Sequence, residues 1–215
     1  NINQIEYSLI DNFNLIILDE LKSIPNSLAS KLKQYIIGGH TLFIFPNENT
    51  EKESYNQFFK SINVDFLKKW IKADREVEVI NYQHPIFQSV FAKKTENMNL
   101  PKTQGSFLIK QNISAQNRDI LSFSDQSPFL SEYLFQSGRI LLSLSDLSSH
   151  NSNFPEHALF VPCLYNATLV SNKQSIYTTI ESENIIEINS MNSNDIIRLQ
   201  KDKELDVIGN IISPN

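Results

Sequence analysis

Two short apolar runs, Leu15-Ile16-Ile17-Leu18 and Thr41-Leu42-Phe43-Ile44-Phe45, bracket an amphipathic stretch, and the rest of the chain is organised around them. A run of four or five such residues without polar alternation suits a strand covered on both faces, as in a parallel sheet. Between the runs, Pro25 fits a helix start, and Leu28, Leu32, Tyr35 and Ile36 recur at helical spacing. Gly38-Gly39 stops that helix, since glycine takes left-handed angles at little cost. The pattern predicts one βαβ unit whose two strands are parallel neighbours, both buried, joined by a right-handed crossover.

Ahead of this unit, Ile5, Tyr7 and Leu9 alternate loosely and predict a strand or a short lead-in. Beyond Pro46, Thr50 with Glu53 three residues on reads as a capping box for a helix striped by Tyr55, Phe58, Phe59 and Ile62. The next stretch is mixed. Phe66, Leu67, Trp70 and Ile71 space like a helix, whereas Val77 and Val79 alternate like a strand. A short helical turn is expected after His84-Pro85, polar loop over residues 92–104, and strands over Gly105–Lys110 and Asp119–Phe123. Phe129–Phe135 and Ile140–Leu144, separated by Gln136-Ser137-Gly138-Arg139, predict an antiparallel hairpin. Ala158 to Leu169 reads as a helix with Pro162 in its first turn. From Lys173 the pieces Ile176–Ile180, Ile185–Ile188, Ile196–Leu199 and Leu205–Ile208 suggest short strands, so a boundary is placed near residue 172.

Composition narrows the function classes. With 215 residues, 40% of them hydrophobic and 14 of them Phe, the chain holds enough apolar material for a sizeable core. A net charge of −5 and no Lys/Arg cluster argue against a nucleic-acid partner. The single cysteine, Cys163, sits on the apolar stripe of the last helix and reads as structural rather than nucleophilic. His40, His84, His150 and His157 lack metal-ligand spacing, and there is neither a GxGxxG nor a Walker-type loop, so no metal and no cofactor is expected. The matches to the glycosylation pattern at Asn112 and Asn166 are those chance gives an asparagine-rich chain.

In an open parallel sheet, the crevice left free by packing helices lies outside the strand carboxyl ends. That places Asp19 and Glu20 after the first strand, Asn47 and Glu48 after the second, and Asp146 and His150 in the Ser145–Asn153 loop. These six residues are the candidate site. Their loops are polar and suit hydrogen bonding to a protein, peptide or glycan partner.

The ordered motifs "NLIILDEL", "LKQYIIGGHTLFIFP", "HPIFQSVF", "GRILLSLSDL" and "SNFPEHALFVPCLYN" cover roughly residues 14–170. In them the chain resembles the glutamine amidotransferase-like domain of bacterial BatA-type membrane proteins. The resemblance implies an α/β fold, a flavodoxin-like parallel sheet flanked by helices, over residues 1–172, with residues 173–215 opening a β-rich segment. It also implies a periplasmic location, with membrane association only through segments outside this chain. Class I amidotransferases carry a nucleophilic cysteine after a strand and a His-x-Glu pair near the end of the domain. Here Pro46-Asn47-Glu48 follows the strand, and Glu156-His157 stand adjacent in the reverse order. The expectation is therefore a non-catalytic scaffold or partner-binding domain of a membrane-anchored envelope protein. The alternative is a hydrolase or amidotransferase-like enzyme with a site built from Asp19, Glu20, Asn47, Asp146 and His150.

Overall fold

The computed structural model describes residues 6–87, 99–169, 199–201 and 205–207. The chain divides into two compact units, Asn1–Ile176 and Tyr177–Asn215. The first contains, in chain order, β1 (Leu15–Asp19), α1 (Asn26–Ile37), β2 (Thr41–Phe45), α2 (Lys52–Ser61), β3 (Phe66–Ile80), β4 (Lys102–Lys110), β5 (Asn117–Phe123), β6 (Pro128–Phe135), β7 (Gly138–Ser143) and α3 (Phe160–Leu169). In the second, β8 (Leu199–Lys201) pairs antiparallel with β9 (Leu205–Val207). The strand-like pieces expected over 176–180 and 185–188 lie outside the described residues.

The βαβ unit forms as its pattern predicts. β1 and β2 are parallel, in register from Leu15 opposite Thr41 to Asp19 opposite Phe45. α1 buries Leu28, Leu32, Tyr35 and Ile36, and the chain leaves it through Gly39, whose φ of 90° is the left-handed turn a side chain would resist. The strands are not equally covered. β2 is buried throughout, whereas β1 lies at the sheet edge with only Leu18 buried and Ile17 42% exposed, so the expectation that both strands are buried holds for β2 alone.

The expected flavodoxin-like parallel sheet flanked by helices is corrected. The sheet has seven strands in the order β1-β2-β7-β6-β5-β3-β4, and only β1, β2 and β7 are parallel. The β6–β7 hairpin, β5 and the β3–β4 pair are antiparallel. The result is a mixed, curled sheet with few helices. The helical spacing of Phe66, Leu67, Trp70 and Ile71 belongs to β3, a single 15-residue strand. Its ladder with β4 shifts register between Leu67 and Lys69 and again between Lys72 and Arg75. The first of these shifts falls inside Phe66–Ile71 and breaks the period-2 alternation there, so the apolar positions imitate a helical spacing. Two smaller expectations also change. The lead-in is a 3-10 turn over Tyr7–Asn12, and α2 begins without a side-chain cap because the Thr50 hydroxyl instead accepts the Asn47 N–H at 3.0 Å.

One face of the sheet carries α1 and α2, packed through Leu32, Tyr35, Tyr55 and Phe59 onto Leu42, Ile44, Ile140 and Leu142. The opposite face carries α3, with Cys163 and Ala167 packed in a cluster that holds Phe43, Phe45, Phe129, Leu141 and Phe154. The curl returns β4 to the chain leaving β7. Phe107 N–H donates to the Leu144 carbonyl (2.7 Å), Gln104 N–H to that of Asn151 (2.7 Å), and Asn153 N–H to that of Lys102 (3.1 Å). Thr103 and Ser152 add an antiparallel bridge. The segment 144–153 therefore runs along the outer edge of β4 and satisfies it.

Candidate functional site

Because β1, β2 and β7 are parallel, their carboxyl ends open on one side, and five of the six sequence-derived residues meet there. Glu20 holds a left-handed φ of 48° and donates its N–H to the Phe45 carbonyl (2.9 Å), which turns the chain off β1. Its carboxylate accepts from Asn47 Nδ2 at 3.0 Å. The Asn47 Oδ1 accepts the Asn49 N–H, also at 3.0 Å, so this amide is used on both sides, by Glu20 after β1 and by its own loop. Glu48 pairs with Lys72 of β3 at 2.7 Å. Asp146 accepts from Asn151 Nδ2 (2.9 Å) and from the Ser148 N–H (3.2 Å).

These carboxylates affect one another. Burial raises the pKa of Asp146 above the usual carboxylate value despite its two hydrogen bonds, and the charges of Glu20 and Glu48 raise it further. Burial, then Glu20, does the same to Asp19. Among the described residues, no group of His, Cys, Asp and Glu is arranged to hold a metal ion.

His150 stands apart from this group. It lines a groove of about 470 Å³ between the Asp74–Glu76 stretch of β3, the Lys102–Gln104 stretch of β4 and residues 149–153. The bulges in β3 and the strap along β4 create that groove. Its charges are largely closed on each other: Glu76 pairs with Lys102 at 3.1 Å, and Arg75 makes two 2.8 Å bonds to Asp125 while stacking 3.6 Å from the Phe123 ring centre. Its floor is fixed by a buried hydroxyl network. Ser145 Oγ lies 2.7 Å from Thr103 Oγ1 and donates to the Gly105 carbonyl at 2.9 Å, which also accepts from Asn151 Nδ2 at 3.1 Å. Gln104, Ser149, His150 and Asn153 remain exposed on the rim.

The sequence reading missed a second polar cluster. On the α3 face, Glu132 of β6 accepts from Arg139 of β7 at 2.9 Å and from His84 Nε2 at 3.1 Å, all three side chains being buried. The His84 Nδ1 accepts the Ile86 N–H at 3.2 Å, which assigns the ring proton to Nε2. A lone glutamate in "FLSEYLF" and a lone arginine in "GRILLS" were the available signal, since the hairpin makes their strands neighbours. Cys163 is fully buried, and burial pushes its thiol up to about 12, in line with a structural role.

This mixed sheet, with a parallel βαβ end and an antiparallel curl, is shared with solved structures. The chain is similar to cytoplasmic protein STM3548 from Salmonella typhimurium (11% identity, 76% of this chain and 74% of that one, TM-score 0.58). It is similar to cytoplasmic protein STM1381 from Salmonella typhimurium LT2 (12%, 78% and 75%, TM-score 0.59), and to a ThuA-like protein from Bacteroides uniformis (16%, 79% and 74%, TM-score 0.50). At these identities the likeness is one of fold. No family model matches the chain, and no curated protein matches it.

These neighbours correct the BatA-type resemblance. They are two cytoplasmic proteins and a ThuA-like protein, none of them BatA-type, so the BatA-type assignment does not stand. The periplasmic expectation falls with it, since two of the similar proteins are described as cytoplasmic. Among the described residues, no helix is long and apolar enough to cross a membrane.

Proposed function

We propose that the α/β unit is a non-catalytic binding domain that takes a polar peptide or glycan segment in the groove between β3, β4 and residues 149–153. One observation carries this reading: the groove is of ligand size, yet its lining offers mainly uncharged hydrogen-bonding groups held on a fixed floor. Both cations of its lining are paired, Lys102 with Glu76 and Arg75 with Asp125, so an uncharged, hydrogen-bonding ligand needs to break no ion pair. Screening the full chain against glycan and peptide arrays, followed by calorimetry on the best binder, tests the reading. The double substitution Gln104→Ala/His150→Ala removes two exposed rim side chains that hold no hydrogen bond among the described residues, and it is expected to weaken binding at least tenfold while leaving the melting temperature unchanged. Absence of any binder, or unchanged affinity in the double variant, overturns the reading.

A hydrolase with its site at the strand ends is the second reading. The raised pKa of Asp146, set first by burial and further by the charges of Glu20 and Glu48, favours it, because a carboxyl biased toward its protonated form can act as a general acid. Hydrolysis of any glycoside or ester in a substrate panel, abolished by Asp146→Asn, would establish this reading instead.

A further inference from the structure

The charged side chains lining the groove are Asp74, Arg75, Glu76 and Lys102, and all but one are closed on partners. Lys102 pairs with Glu76, while Arg75 is held by Asp125, by the Ser127 hydroxyl and by its stack on Phe123. Asp74 is left over. Among the described residues its carboxylate holds no ion pair and no hydrogen bond. The ladder explains its place. Between the pairs Lys72–Gly105 and Arg75–Thr103, Ala73 and Asp74 of β3 stand against Gln104 alone of β4. The extra residue of such a bulge re-aims a side chain out of the strand's alternation. Asp74 and Gln104 are therefore neighbours at the groove, and His150 lines it from the strap. The backbone beneath the outer two is fixed, since the Gln104 N–H donates to the Asn151 carbonyl (2.7 Å) and Asn151 Nδ2 to that of Gly105 (3.1 Å).

With the groove taken as the binding site proposed above, we propose that it selects a ligand segment bearing one primary ammonium group among neutral hydrogen-bonding groups. Asp74, Gln104 and a neutral His150 offer a carboxylate, an amide carbonyl and an imidazole nitrogen, all exposed and all able to accept. An ammonium has three donors and no acceptor, which matches that set. Asp74 is its counter-ion, and a hydrogen bond between ionised partners is roughly twice as strong as a neutral one. Such a ligand still leaves the Lys102–Glu76 and Arg75–Asp125 pairs intact. A metal ion is not matched, because no group of His, Cys, Asp and Glu among the described residues is arranged to hold one. A lysine side chain of a peptide and the free amine of an amino sugar share the chemistry that is.

Calorimetry on the full chain with two matched pairs of probes tests this. One pair is an N-acetylglucosamine oligomer with one free amine against its fully acetylated form. The other is a serine-rich peptide with one lysine against its acetyl-lysine form. In one pair the charged member is expected to bind about tenfold more tightly, and the pair that shows it names the source. The net charge of −5 attracts any cation weakly, so the variants separate Asp74 from that background. Asp74→Asn is expected to cut the preference to about twofold, the share of the general field, and Asp74→Glu to restore most of it. Glu53→Gln, which removes one charge from α2 outside the groove, is expected to keep it. No preference in either pair, a preference that survives Asp74→Asn, or one lost equally in Glu53→Gln overturns the inference. The groove itself would still stand if the neutral probes bind and the Gln104→Ala/His150→Ala variant loses them. Failure of every probe to bind overturns the ammonium class, while the array screen decides the groove.

Discussion

At the scale of single residues, the buried Glu132 sets how the fold responds to acid. Burial alone would favour its neutral form, but the His84 hydrogen bond and the Arg139 charge outweigh that and hold its pKa below the ordinary glutamate value of 4.5. A carboxyl with a depressed folded pKa adds stability that is present above about pH 4.5 and lost as the pH falls through the folded value. Glu132→Gln leaves Arg139 charged and uncompensated in the core, which costs about 3–5 kcal/mol. Urea titrations from pH 7 downward should show that loss in full at neutral pH and a difference that narrows only below pH 4.5, as the pH falls toward the folded value. Cys163 provides a second residue-level test. Its thiol should react slowly with a maleimide in the native protein and quickly once the chain is unfolded, and fast native labelling would revive a nucleophilic role.

At the scale of elements, legibility followed locality. α1 was readable because its four buried positions and its glycine stop lie within one stretch, and the β6–β7 hairpin because its turn lies between its strands. β3 was not readable, since what places Trp70 and Ile71 is a ladder with residues 30 to 40 positions away, interrupted by bulges. The candidate site divides the same way. That Asp19, Glu20, Asn47, Glu48 and Asp146 lie at one end of the sheet followed from parallel strand order alone, while the groove at His150 depends on the strap along β4. Gly138 shows how tightly the elements meet. A Cβ there would stand 2.0 Å from the Ile36 carbonyl oxygen and 2.7 Å from that of His40, both backbone atoms. Gly138→Ala must push the α1 terminus off β7, so a loss of about 3 kcal/mol is expected, at the upper end of overpacking, read as a lowered urea midpoint. Trp70→Ala, in contrast, should act locally, loosening the Gly105 floor and the groove before the βαβ end.

At the scale of the whole molecule, one sheet joins two kinds of architecture. The parallel end is built around β2, whose five residues are all buried. The antiparallel end curls until β4 meets the chain after β7 and leaves a groove. β7 is the hinge of this arrangement, parallel to β2 on one side and antiparallel to β6 on the other. Removing it should therefore disrupt both halves. A chain ending at residue 137 is expected to be insoluble, whereas one ending at residue 169 keeps every strand of the seven-stranded sheet and should remain soluble in a sedimentation assay.

The insertion of β7 next to β2 also puts a clock on synthesis. Thr41–Phe45 leaves the ribosome early, but the strand that seals its inner side ends at Ser143, 98 residues later. At about 5–20 residues per second, that interval is roughly 5–20 s. Throughout it β2 has one bare ladder edge, with only the β1 side of its ladder filled. Newborn chains are thus exposed to mispairing for a period set by translation rate rather than by folding rate. Slow codons between residues 46 and 138 would lengthen that exposure, and a chaperone that holds extended apolar segments would have its target at Leu42–Phe45.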